Sequence, residues 1–103
     1  MNRRQAKMAK VMIEPKDAQN VKSLVRMAVE NELKILKAGV ARCSKKLAEL
    51  EKTYGMSSKQ FYDKFKKGEV GDDFEYIRWA GEYETLQQLE RDYSDLLGTE
   101  VCS

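Results

Sequence analysis

The chain has 103 residues, 35% of them Asp, Glu, Lys or Arg, and a formal charge of +2. That length sets one domain, and it contains no run of about 18 apolar residues, so no membrane contact is expected. There is no histidine, which removes Ser-His and Cys-His nucleophile pairs and a common zinc ligand; we expect no enzyme, no cofactor and no metal.

The basic N-terminus has no apolar stretch behind it, so no signal peptide is expected. The two cysteines, Cys43 and Cys102, stand far apart, and the expectation is free thiols in a cytoplasmic protein, with a disulfide left open. Charge is divided along the chain. Residues 1–68 hold 17 Lys/Arg against 7 Asp/Glu, and residues 69–103 hold 2 against 10. Either the basic part folds back on the acidic part, or the basic end meets nucleic acid.

In chain order, residues 1–16 form a basic arm with Arg3, Arg4, Lys7 and Lys10, and Lys10–Glu14 suits an extended arm or a short strand. Pro15 keeps Glu14 out of a helix. A long helix is predicted over 17–54, with Asp17 as N-cap. Its apolar residues make two seams. Val29, Leu33, Leu36, Val40, Cys43, Leu47, Leu50 and Tyr54 follow alternating steps of four and three, a coiled-coil-like heptad pattern. Val21, Leu24, Val25 and Ala28, then Ile35, lie on a rotated face. Gly39 costs roughly 1 kcal/mol relative to Ala, which a helix of this length absorbs.

Gly55 is the expected left-handed stop. A short helix follows over 57–67, capped by Ser57 or Ser58, with Phe61 and Phe65 on one face. Gly68 closes it and Glu69–Gly71 turn the chain. A second long helix is predicted over 73–97, capped by Asp72 or Asp73 and ended by Gly98. Its seam is Tyr76, Trp79, Tyr83, Leu86, Glu90, Tyr93 and Leu97, widened by Ile77, Ala80, Leu89 and Leu96. The expected fold is all-α: a long antiparallel two-helix hairpin with a short helix in the connection.

Lengths set a further expectation. Val29–Tyr54 spans about 39 Å as helix and Asp73–Leu97 about 37 Å. Paired antiparallel, they leave Asp17–Ala28 projecting by roughly 18 Å. Its stripe of Val21, Leu24, Val25, Met27 and Ala28 is then covered by the N-terminal arm or by another chain, and we favour another chain. A two-helix core is small, so a dimer or a heteromeric complex is expected.

Other candidate sites read more simply as structure. Asp72 and Asp73, with Glu69 and Glu75, are oxygen ligands by type, but acids at a helix start serve the dipole. Gly68 and Gly71 belong to no phosphate-binding motif. Phe61, Tyr62, Phe65, Phe74, Tyr76, Trp79 and Tyr83 are expected to pack around the connector, with Trp79 anchoring the short helix. Arg3, Arg4, Lys7 and Lys10, joined by Lys16, Lys22 and Arg26, suit phosphate neutralisation, although no base-reading motif accompanies them.

The connector, from Leu50-Glu51-Lys52-Thr53-Tyr54-Gly55-Met56-Ser57-Ser58 through Phe61, Phe65, Gly68 and Gly71-Asp72-Asp73-Phe74 to Trp79, resembles a family of small, mostly uncharacterised archaeal and bacterial helical-hairpin proteins. Members look like a helix ending in "KYGM", then "SSxxFxxKFxxGxxGDDxDFxxW", then a second helix. The resemblance covers residues 47–97. Here the second aromatic after Phe74 is shifted to Tyr76, and one Trp stands for a pair. Such proteins sit beside toxin genes and look like antitoxin partners. The resemblance implies a non-enzymatic antitoxin-like subunit that masks a toxin by helix packing, with Val21, Leu24, Val25 and Ala28 as the expected partner contacts. Alternatives are a small nucleic-acid-binding protein using Arg3, Arg4, Lys7 and Lys10, or a homomeric coiled-coil scaffold.

Overall fold

A computed structural model describes residues 18–102, with side chains described through residue 99. These residues form three helices, α1 (Ala18–Tyr54), α2 (Ser58–Lys66) and α3 (Phe74–Cys102), and no strand. The described chain is therefore all-α. The predicted arm, its strand option, and the Asp17 cap lie outside the described residues. The chain divides into two compact units, Met1–Glu32 and Leu33–Ser103.

In the first unit the described residues are the opening turns of α1. Val21 and Val29 are half-buried, while Leu24, Val25, Met27 and Ala28 are exposed.

In the second unit the heptad seam is the buried face of α1: Leu36, Cys43 and Leu47 are buried, and Leu33, Val40 and Leu50 are half-buried. Partner residues on α3 are met in reverse order. Gly39 faces Leu89, Lys46 faces Glu82, and Tyr54 faces Glu75. Gly39 belongs here for a reason beyond tolerance, because a Cβ on it would stand 3.1 Å from Leu89 Cδ1. With a Cβ here the Leu89 side chain would have to shift by a few tenths of an ångström.

Both helix stops are as the glycines imply. Gly55 has φ 64° and donates to Glu51 O at 2.8 Å. Gly68 has φ 73°; its N–H reaches Phe65 O, and the Glu69 N–H reaches Lys64 O. That pair of bonds is the Schellman arrangement, which satisfies the last carbonyls of α2. At the other end of α2, the Ser57 hydroxyl accepts from Gln60 N at 3.1 Å and the Gln60 side chain accepts from Ser57 N, a capping box.

The core of this unit is Leu47, Phe61, Trp79 and Ala80, with Leu50, Met56, Phe65, Tyr76, Tyr83 and Leu86 packed against it. Phe61 stacks on Trp79 with centroids 3.9 Å apart and planes 4° apart, and Tyr54 stacks on Trp79 at 5.3 Å. Trp79 Nε1 donates to the Ser58 hydroxyl at 2.9 Å. The anchoring role expected of Trp79 is what the structure has.

Two expectations need correction. α3 does not stop at Gly98 but continues to Cys102. One glycine costs about 1 kcal/mol in a helix and does not end one; here Thr99 follows it and bonds its hydroxyl to Asp95 O at 3.1 Å. Phe74 does not pack in the connector. It is 75% exposed, because at the head of α3 the inward face is already taken by Tyr76 and Trp79, two and five residues on.

Candidate functional site

The described residues divide into side chains that complete a core and side chains that lack one. The second group includes Ile35, Phe74 and Ile77 in the second unit and a run near the start of α1. Leu24, Val25 and Met27 are 51%, 57% and 62% exposed. Val21, Leu24, Val25 and Ala28 recur at i, i+3, i+4 and i+7, which sets these four along one side of the helix, with Met27 off that line next to Leu24. Lys22 and Arg26 are exposed beside them. Of the sequence-predicted partner contacts, Leu24, Val25 and Ala28 are thus exposed and Val21 is half-buried. Arg3, Arg4, Lys7 and Lys10 lie outside the described residues.

Inside the second unit, the polar groups that carry chemistry are committed to holding helices together. The Tyr54 hydroxyl donates to Glu75, which pushes the phenol up to about 12, with desolvation adding to it. The Tyr62 hydroxyl donates to Glu84 at 2.6 Å and its pKa is likewise raised, first by that bond. Burial pushes the Cys43 thiol up, and the neighbouring Glu82 adds to it. A raised thiol pKa leaves little thiolate, so Cys43 is a poor nucleophile. Lys46 Nζ lies 3.3 Å from Glu82 Oε2.

Among the described residues no three Cys, Asp or Glu side chains converge to hold a metal, and no buried side-chain polar atom is without a hydrogen-bond partner. The acids Asp72 and Asp73 are exposed, and the Asp73 carbonyl takes the first helical bond, from Ile77 N at 3.1 Å. One groove, about 360 Å³, is lined by Lys46, Glu49, Leu50, Thr53, Glu75, Arg78 and Glu82. Its charges are mixed in sign and open to water, so it selects no ligand charge. No described helix is long and apolar enough to cross a membrane.

Sequence reasoning missed the role of Ser58, which it weighed only as a cap. The signal was its place: one residue after a cap serine, on the first turn of a helix whose Phe61 must meet a Trp. It also missed the three acids facing Tyr54, Tyr62 and Cys43, although the acidic C-terminal part of the chain supplies all three.

In comparisons with known proteins, no family model, no curated protein and no solved structure matches this chain.

Proposed function

We propose that this chain is a non-enzymatic interaction subunit, a two-helix hairpin whose opening turns of α1 pack against another polypeptide. The observation that carries the reading is the exposure of Leu24 and Val25 on the face they share with Val21 and Ala28. Apolar side chains grouped on one face mark interaction sites far more than isolated ones do. Supporting it, the Tyr54, Tyr62 and Lys46 side chains and the buried Ser58 of the second unit are bonded to groups within that unit.

The resemblance of residues 47–97 to antitoxin-like hairpins makes the partner a toxin, masked by a helix laid into a groove, in the cytoplasm. Co-expression with the product of the adjacent gene tests this. The expected result is a complex of fixed stoichiometry and relief of growth arrest, both lost in Leu24→Asp. Absence of complex and of relief contradicts the antitoxin reading.

A second reading has a sequence observation behind it: residues 1–10 hold four bases and no acid. Duplex binding by that segment should weaken steeply with salt and vanish when residues 1–10 are deleted. Binding indifferent to either change rules it out.

A further inference from the structure

We propose that the exposed stripe at the start of α1 receives an amphipathic helix with acidic flanks, supplied by a different protein. The proposal rests on the reading of this stripe as a partner contact and names the chemistry of the partner. Val21, Leu24, Val25 and Ala28 recur at helical spacing, and three large apolar side chains there stand more than half exposed. A ridge of this kind fits the groove of a second helix better than an irregular loop, because side chains three and four apart interdigitate with those of another helix.

The charge directly beside the stripe is basic. Lys22 borders the apolar face and Arg26 follows one turn on; both are exposed, no acid occurs from Ala18 to Val29, and the first acid on that edge, the exposed Glu30, lies one turn past Arg26, beyond the end of the stripe at Ala28. A helix laid along the stripe brings its flanking side chains beside Lys22 and Arg26. Acidic flanks are attracted there and basic flanks repelled, which sets partner choice more than raw affinity. The same edge disfavours a second copy packed antiparallel through this stripe. Like edges then meet, and Lys22 and Arg26 face their own counterparts.

The test titrates two synthetic helical peptides into the full chain, both with the same leucine stripe, one flanked by glutamate and the other by lysine. Fluorescence anisotropy at low and high salt reads the binding. The glutamate peptide should bind tighter by on the order of tenfold at low salt, with the advantage shrinking as salt rises. Leu24→Asp with Val25→Asp should remove that binding, and Lys22→Glu with Arg26→Glu should invert the preference. These four positions are solvent-facing or edge positions, and circular dichroism checks that each variant stays folded. Equal binding of both peptides, glutamate-peptide binding that survives Leu24→Asp, or a preference unmoved by Lys22→Glu and Arg26→Glu overturns the proposal. Self-association that Leu24→Asp abolishes, without any acidic preference, overturns it too but leaves the partner-contact reading standing. If Leu24→Asp changes neither association nor binding, both fail.

Discussion

Trp79 concentrates the consequences of a single side chain. It is 1% exposed, stacks on Phe61 and on Tyr54, and spends its indole N–H on the buried Ser58 hydroxyl. Trp79→Ala should cost about 3–5 kcal/mol, the usual cost of losing a large aromatic from a core. Ser58→Ala leaves the ring in place but strips the N–H of its acceptor, which should cost about 1–3 kcal/mol. Urea melts read both, and neutral values would refute the placement. Tyr54 gives a pH dependence. Its hydroxyl donates to Glu75 and its folded pKa is pushed from 10.0 up to about 12. A group that holds its proton longer when folded contributes stability that is intact below the unfolded pKa and lost as pH rises through the folded one. Stability should therefore fall between about pH 10 and pH 12, and Tyr54→Phe should flatten that fall. Identical slopes in the two chains would show that Tyr54 is not the group responsible.

At the scale of elements, glycines separate what sequence spacing reveals from what it hides. Gly55 and Gly68 were legible as stops, since each follows the last apolar residue of a periodic run, and both have positive φ. Gly98 looked the same by that criterion and is not a stop. The difference lies downstream: Thr99, Val101 and Cys102 can continue a helix, whereas the Met56-Ser57 and Glu69-Val70 steps lead into a cap or a turn. Gly39 was legible as tolerated, but its close approach to Leu89 was not, because Leu89 is 50 residues away and register across two helices is not written in local spacing. Phe74 was misplaced for a related reason, since period alone does not say which aromatic of a crowded turn is left outside. The stripe at Val21–Ala28 was the most legible part of the candidate site, because an apolar face at helical spacing survives any choice of partner. Alanine scanning makes the glycine distinction measurable. A Cβ at Gly81 or Gly98 meets nothing within 4 Å, so Gly81→Ala and Gly98→Ala should each stabilise by about 0.5–1 kcal/mol. Gly55→Ala must place a side chain at φ 64° and should destabilise by roughly 1–2 kcal/mol. Gly39→Ala should gain less than Gly81→Ala, since Leu89 has to give way. Thermal melts of the four variants rank them, and a uniform gain would contradict these local assignments.

Among the described residues the folded core is small, with Leu47, Phe61, Trp79 and Ala80 at its centre in the second unit. Domains of this size are marginal on their own core, and large apolar side chains near the start of α1 stand in water. On the proposed function, a second polypeptide covering that stripe would stabilise the fold and supply the function in the same step. On the proposed reading the basic edge of the stripe, Lys22 and Arg26, would favour a partner of acidic flank before the two pack. Sedimentation of the full chain at micromolar concentration, alone and mixed with the adjacent gene's product, tests this most directly. The account predicts a species heavier than the 11.9 kDa of one chain in at least one of the two conditions, reduced by Leu24→Asp. A well-folded 11.9 kDa species in both, with a melting temperature indifferent to Leu24→Asp, would contradict it.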